Sequence, residues 1–371
     1  MVYAEVMKII GRKTLPIGVD LGSSAVKMAQ LRTSGSDIEL LAADSIEVPQ
    51  HCREDLGQRL DFLARALHRI RKTNGFRGRE CVLSLPAEAT FLHQLKLPQL
   101  PAGQIDDALE EELPYPVDDV IVRYDVAGDI HEGGEAKQEL IVAAVAQATL
   151  DAYLDMAERA RLDVVGVDIE AYAIVDCFAR QFRESAGVVL FVDLGASSTQ
   201  VVLANGNEIV FARNLSAGCE RLDQDVAEAL NIPVEEASAM RRDTQQAEIK
   251  GLTEDLDSAL DSALGPLTNE LAQCIRYHEA AFRNGSIQQA IFAGGGAHDT
   301  QVCSAIAERL NLRAQVGDPL ADIEIAKGVR ANAGLGLRGP NPDWAVAVGL
   351  SLRAMKFEDT RERPLPVGAR S

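Results

Sequence analysis

The sequence predicts an α/β protein in which one unit occurs twice, and three observations carry that reading. The tetrapeptide Val-Asp-Leu-Gly stands at 19–22 and again at 192–195, which places Asp20 and Asp193 173 residues apart. Each copy follows an apolar run, passes through small hydroxyl residues (Ser23 and Ser24; Ser197, Ser198 and Thr199) and enters a second apolar run. That is the pattern of strand, tight turn, strand. Late in the chain, Gly294-Gly295-Gly296 follows another apolar strand and precedes a helical stretch. A duplication of this kind sets the architecture before any other motif is weighed.

The elements follow in order. Residues 1–14 read as a terminal segment ahead of the first strand. Strands at 17–20 and 25–31 form the first hairpin, and 38–48 extends it to a meander. Residues 56–72 place Leu60, Leu63, Leu67 and Ile70 at helical spacing, with arginines on the other face. From residue 80 the pattern changes. An apolar strand at 81–85 ends at Pro86, and 91–97 alternates as a strand. A helix at 101–113 is acidic toward its end (Asp106, Asp107, Glu110, Glu111, Glu112) and is stopped by Pro114 and Pro116. Strands at 120–126 and 139–146 flank the Gly133-Gly134 turn, and a helix at 149–161 follows. Together these predict a small ferredoxin-like α+β insert, 79–163, between the two copies of the repeat.

A strand at 164–168 leads into a helix at 170–183. The second hairpin takes 188–193 and 199–204, and a third strand at 208–215 is reached over Asn205-Gly206-Asn207, a tight-turn signal. Helices are predicted at 221–230 and 234–242, and the polar, acidic stretch 243–261 as surface. A helix at 266–283 starts on Pro266, a strand occupies 289–293, and a helix at 302–310 follows the glycine run. Glycines and prolines make 328–343 a loop before a last helix at 344–355. The chain thus divides into a terminal segment 1–14, a first half 15–185 holding the insert, a second half 186–343, a closing helix 344–356, and an Arg/Pro-rich tail 357–371 that reads as disordered.

Composition narrows the function classes. Apolar residues make up 47% of the chain, enough for substantial cores. The longest apolar run, 140–146, is far short of the ~18 residues a membrane span needs, and the N-terminus shows no export signal. A cytoplasmic protein without a transmembrane segment is expected. Six cysteines without a Cys-x-x-Cys pair or zinc spacing read as reduced core thiols. A net charge of −19 opposes binding to nucleic acid, whose phosphates demand a basic face. The six histidines are dispersed, and none stands as a catalytic base.

The repeated turn carries chemistry. Backbone N–H groups in a hairpin turn point into its mouth and bind phosphate, with the serine hydroxyls adding donors. Gly22 and Gly195 let the backbone approach an anion closely, and Lys27, on the second strand, either adds a cation or faces solvent. Paired aspartates suit Mg²⁺, which takes few protein carboxylates and keeps several waters. The Gly294–Gly296 loop reads either as a helix N-terminus offered to a phosphate or a base or as a plain tight strand-to-helix turn, and the paired hairpins favour the first.

The order VDLGSS, VDLGAS, AGGGA is similar to the two phosphate motifs and the adenosine motif of the actin-like ATPase superfamily. The insert lies where the cell-division protein FtsA carries its own subdomain. The closer resemblance is to the type IV pilus assembly PilM family. It rests on IGVDLGSSAVKMAQL, LPYPVDDVIVRYDV, QELIVAAVAQATLDAYLDMAERARLDVVGVDIEAYAIV, IRYHEAAF and DWAVAVGLSLRA, and covers about 15–356. It implies an actin-like ATPase fold, with duplicated ribonuclease-H-like halves and an FtsA-type insert, and ATP with Mg²⁺ as ligands. By position, Asp20 and Asp193 would orient the metal and its waters. Gly22, Ser23, Ser24, Lys27, Gly195, Ser197 and Ser198 would meet the β- and γ-phosphates, and Gly294, Gly295 and Gly296 the α-phosphate and adenine. Glu170 sits where polymerising relatives place the residue that positions the attacking water; a helix-start acid favoured by the dipole is the other reading of it. Relatives also show Ala-Glu-x-x-Lys on the helix at 234–242. Here it is Ala237-Ser238-Ala239-Met240-Arg241, so Arg241 would stack on the base while Ser238 replaces the ribose-binding acid.

The resemblance further implies a partner, the N-terminal cytoplasmic tail of a PilN-like inner-membrane protein, held beside the insert. The chain would then be a nucleotide-binding scaffold, at most a slow ATPase, peripheral to the inner membrane through that partner. A filament-forming cytoskeletal ATPase, with self-association, shares the fold and stays open. A small-molecule kinase of the same superfamily lacks its expected Gly-Asp motifs here.

Overall fold

The structure, a computed structural model, describes residues 13–35, 37–112, 119–132, 134–182, 187–242, 252–282, 287–329, 333, 335–336 and 339–361. The first part of the chain forms β1 (Lys13–Thr14), β2 (Ile17–Asp20), β3 (Ala25–Ser34), β4 (Asp37–Glu47), α1 (Gln50–Arg53), α2 (Leu56–Thr73) and β5 (Glu80–Ser84). Next come β6 (Phe91–Pro98), α3 (Ala102–Glu112), β7 (Val120–Glu132) and β8 (Glu135–Ala146), then α4 (Gln147–Arg159), β9 (Asp163–Asp168) and α5 (Glu170–Phe178). The second part holds β10 (Val188–Leu194), β11 (Thr199–Asn205), β12 (Glu208–Leu215), α6 (Cys219–Leu230), α7 (Val234–Arg242), α8 (Thr253–Ala281), β13 (Ile287–Ala293), α9 (Thr300–Leu310) and β14 (Arg313–Val316). The two-residue strand β15 (Glu324–Ile325) and helix α10 (Ala345–Arg361) close it.

The duplication is visible in the sheets. One orders its strands β4-β3-β2-β5-β9, the other β12-β11-β10-β13-β14. In each, three antiparallel strands form a meander and two parallel strands extend it on the far side of the first strand. Ile17 and Val19 of β2, and Leu190 and Val192 of β10, are fully buried because helices cover both faces of each sheet.

This symmetry narrows the insert. The expected bounds, 79–163, take in β5, yet β5 pairs with β2 and β9 at the centre of the first sheet. Its apolar run Cys81, Val82, Leu83 is fully buried, as a strand flanked on both sides requires. Helix α4 packs in the same core as α2, with Tyr153, Met156 and Ala157 against Leu63 and Leu67. The separate unit is therefore a three-stranded sheet, β6-β8-β7, whose small core joins Leu97, Leu140 and Val142 to Ile105 and Leu109 of α3. The ferredoxin-like reading borrowed a strand and a helix from the first half.

Three other expectations change. Residues 253–261, read as polar surface, open α8, which runs through Pro266 without ending. Leu256, Leu260, Ala263, Leu264, Leu267 and Leu271 form one buried stripe on both sides of the proline, and that burial outweighs one lost hydrogen bond. Residues 324–325, assigned to the second half, add β15 to the outer edge of β4 in the first sheet. Finally, α10 continues to Arg361, past the expected stop at 356. The proline pair at 114 and 116, together with 1–12, 243–251 and 362–371, lies outside the described residues.

Helix α10 packs back onto the first half. Ser351 donates its hydroxyl to the Pro16 carbonyl at 2.8 Å and accepts the Leu31 N–H at 3.2 Å. Arg353 forms ion pairs with Asp168 and with Asp176 (2.9 Å), and its guanidinium lies 4.4 Å from the Tyr172 ring. Tyr172 in turn donates to Asp125 of β7, joining α5 to the separate sheet. Among the described residues no helix is long and apolar enough to cross a membrane.

Candidate functional site: a cleft between two hairpin turns

The first turn, between β2 and β3, is held from behind by a side chain. Arg59 of α2 is only 6% exposed and donates to the carbonyls of Leu21 (3.0 Å), Gly22 (2.8 Å) and Ser23 (3.1 Å). Three carbonyls engaged on one guanidinium cannot turn into the mouth, which stays open to anions. The arginines of this helix were expected on its solvent face; Arg59 is on the buried one. Asp20, the last residue of β2, lies directly across from Lys27 of β3.

The second turn is held by backbone instead. The carbonyls of Gly195 and Ala196 accept the N–H groups of Cys219 (3.0 Å) and Glu220 (2.9 Å), the first residues of α6. Within the turn, Gly195 N–H donates to the Ser198 carbonyl at 3.0 Å. Both turns require glycine at the same place. A Cβ at Gly22 would lie 2.8 Å from the Ala25 carbonyl oxygen, and one at Gly195 2.7 Å from that of Ser198. Asp193 faces Gln200 across the hairpin, at the position that mirrors Lys27.

The glycine run follows β13 into a short helical turn at Gly295–His298. Gly294 has φ +81°, and a Cβ there would strike the Asp193 carboxylate, so the residue must be glycine on two counts. Its N–H donates to the Pro342 carbonyl at 3.0 Å, which brings the turn before α10 to the site.

These segments line one cleft of about 560 Å³. Asp20, Gly22, Ser23, Ser24, Lys27, Glu170, Asp193, Gly195, Ser197, Ser198, Arg241, Gly294, Gly295 and Gly296 all contribute to its wall. Ser238 does not. The structure adds Glu88, Arg242, Asp299 and Asp343, which sequence reasoning passed over, and brings in His298, which follows the glycine run. Asp343 had a local signal in the helix-start pattern Asn341-Pro342-Asp343-Trp344, and Asp299 one as an N-cap residue ahead of the helix.

The cleft is electrostatically lopsided. Burial raises the Asp20 carboxyl to about 6, against the opposing pull of Lys27. Burial, and then the nearby Asp20, raises Asp193 to about 7. Glu170 opens α5 and is pushed well above the usual carboxylate range by burial, then by Asp20, Asp193 and Glu88. Asp343 goes the other way: burial pushes it up, but a hydrogen bond from His298 (3.0 Å) and the charge of Lys27 (3.6 Å) outweigh that and bring it down. A desolvated group of carboxylates facing one lysine calls for a cation.

Arg241 is not the free stacking cation it was expected to be. It is 4% exposed and forked between Asp223 of α6 (2.8 Å) and Asp299, the N-cap of α9 (2.5 Å). Its guanidinium is a buried brace between the second turn's helix and the glycine loop. The adjacent Arg242 is exposed at the cleft wall.

The family model of type IV pilus assembly protein PilM matches residues 18–355. The chain belongs to the PilM family. The structure superposes on that of a PilM-PilN type IV pilus biogenesis complex with a TM-score of 0.73 at 22% identity, over 91% of this chain and 98% of that one. Ethanolamine utilization protein EutJ from Carboxydothermus hydrogenoformans gives 0.54 at 13% identity, over 92% of this chain and 89% of that one. MreB5 of Spiroplasma citri bound to AMPPNP gives 0.51 at 14% identity, over 95% and 99%. These likenesses establish an actin-like ATPase fold for this PilM-family chain, which is a type IV pilus assembly protein.

Proposed function

We propose that this PilM-family chain is a cytoplasmic ATP-binding scaffold that recruits the N-terminal cytoplasmic tail of a PilN-like inner-membrane protein to the pilus machine. The observation that carries the nucleotide half is the single cleft that both hairpin turns and the glycine loop line. The MreB5 neighbour of the same fold is described with AMPPNP bound.

The donor set fits Mg²⁺. No group of three or more ligating side chains closes on a point among the described residues. An ion held by the facing Asp20 and Asp193 would therefore keep several waters, as Mg²⁺ does. The metal would supply charge neutralisation for the phosphates. The chain's own groups do the rest. The turn N–H groups with Ser23, Ser24, Ser197 and Ser198 take the β- and γ-phosphate oxygens, and Lys27 adds one cation. Gly294, Gly295 and Gly296 let the nucleotide lie against the loop without a Cβ in the way. Burial, and then Asp20, Asp193 and Glu88, push the Glu170 carboxyl up. In this reading hydrolysis is slow, because Ser238 replaces the ribose-binding acid and no second catalytic group is evident. Nucleotide then acts as a conformational ligand through its differential affinity for open and closed cleft.

The partner half rests on the likeness to the PilM-PilN complex and on the separate sheet. One part of that sheet leans on the second half: Gln94 donates to the Val210 carbonyl (3.4 Å), and Tyr277 of α8 donates to Glu139 (2.7 Å). Among the described residues strand β7 is an edge, paired to β8 alone, and its Val126 is 52% exposed. An extended tail adding to this edge would gain main-chain bonds and a side-chain contact at Val126. In a pull-down with the PilN-like tail, Val126→Asp is expected to lose capture while ATP–Mg²⁺ still raises the melting temperature. Undiminished capture would move the partner elsewhere.

A further inference from the structure

Glu88 stands in a short turn, Ala87–Ala89, between β5 of the first half and β6 of the separate sheet. Its carboxylate reaches across the cleft and accepts the hydroxyl proton of Ser197, in the second hairpin turn. A second contact spans the cleft beside it. Arg53 of α1 pairs with Glu220 of α6 at 2.8 Å, and the Glu220 N–H is the one bound to the Ala196 carbonyl of that same turn. Both contacts therefore join the first half to one turn of the second.

We infer that Glu88 is an internal competitor for phosphate, a latch on the second turn that nucleotide must displace. Ser197 has one hydroxyl proton, which Glu88 and a phosphate oxygen cannot both accept. A carboxylate parked in an anion-binding mouth also repels the anion that the mouth is built for. The same group faces Glu170 and adds to the negative charge there. The latch has a mechanical consequence, because Glu88 lies three residues before β6. Releasing it frees the connection that enters the separate sheet, so phosphate arriving at Ser197 is felt where the partner is proposed to dock. No contact between nucleotide and that sheet is needed.

This inference rests on the proposed nucleotide site, and the test keeps the two apart. Titration calorimetry with ATP–Mg²⁺ compares the wild type with Glu88→Ala, Glu88→Gln and Asp193→Asn. Glu88 is exposed at its backbone turn and its variants retain the buried cores. Removing a charged hydrogen-bond competitor is expected to tighten binding roughly ten- to a hundredfold in Glu88→Ala. Glu88→Gln, which keeps an acceptor but no charge, should gain less. Asp193→Asn should lose binding. Glu88 variants that bind within twofold of the wild type, or more weakly, overturn the latch while a defective Asp193→Asn leaves the site standing. If Asp193→Asn binds as the wild type does, the nucleotide site itself is wrong. If the wild type shows no heat, binding gained by Glu88→Ala supports the latch, and silence from all four overturns both.

Discussion

The two hairpin turns have the same acid, the same glycine and the same glycine-to-carbonyl approach, yet they are supported and neutralised differently. The first is held by the buried Arg59 side chain and has Lys27 opposite its aspartate. The second is held by the first N–H groups of α6 and has neutral Gln200 there, whose side chain donates to Asn214 at 2.7 Å. Duplication preserved what an anion needs, a turn mouth free of Cβ and carbonyl. It did not preserve how that mouth is kept open or where the positive charge comes from. The first turn is the charged end of the cleft. The second is the dipolar end, and there the brace is Arg241 behind α6 rather than a cation in the mouth.

The comparison breaks most sharply at the braces. Arg241→Ala leaves Asp223 and Asp299 buried without their partner, and should cost about 3–5 kcal/mol in urea unfolding. Arg241→Lys recovers only part of this, since one ammonium cannot fork between two carboxylates. Arg59→Ala strips three carbonyls of a charged donor and should cost about 2–3 kcal/mol. It should also erase nucleotide binding, whereas a brace-only role for Arg59 would leave ATP affinity intact in the molecules that stay folded.

A smaller effect sharpens the asymmetry. Lys27→Gln turns the first hairpin into a copy of the second. ATP affinity should fall about tenfold by loss of one cation near phosphate. The reciprocal Gln200→Lys should raise affinity, because it places a second cation beside Asp193. Equal, negligible effects on calorimetric affinity would mean that neither cross-strand position faces the ligand.

The hairpins and the glycine loop were legible because each is a local pattern, and because a repeat checks itself; Glu170 came only through the family resemblance. The rest depended on contacts distant in sequence. Arg59 looked like any other arginine on an amphipathic helix, and only the turn it faces makes it special. Glu88 lies in an unremarked turn, with its partner more than a hundred residues away. Strand β5 was placed in the insert because sequence order puts it next to β6, whereas hydrogen bonding puts it between β2 and β9. Pro266 marked a helix start by the ordinary rule, and a buried leucine stripe on both sides overrode it. Arg241 matched a motif position and was assigned a ligand role; the two aspartates that claim it are 18 and 58 positions away.

The central claim, that Asp20 and Asp193 form one cation-dependent nucleotide site, is tested most directly by stability against pH with and without ATP–Mg²⁺. Both carboxyls are raised in the folded protein, to about 6 and about 7, from the usual 3.8. A raised acid contributes stability that is full below its unfolded pKa and is lost as pH rises through the folded value. The ligand-free protein should therefore lose stability between about pH 4 and 7. Asp193→Asn should flatten that slope and melt higher than the wild type at pH 8. ATP–Mg²⁺ at a hundred times its Kd should add about 2.7 kcal/mol to the wild type at pH 8, by binding only the folded state. Neither Asp20→Asn nor Asp193→Asn should gain it. A nucleotide-induced rise in melting temperature that survives in both variants, or a ligand-free slope unchanged by removing Asp193, would contradict the account.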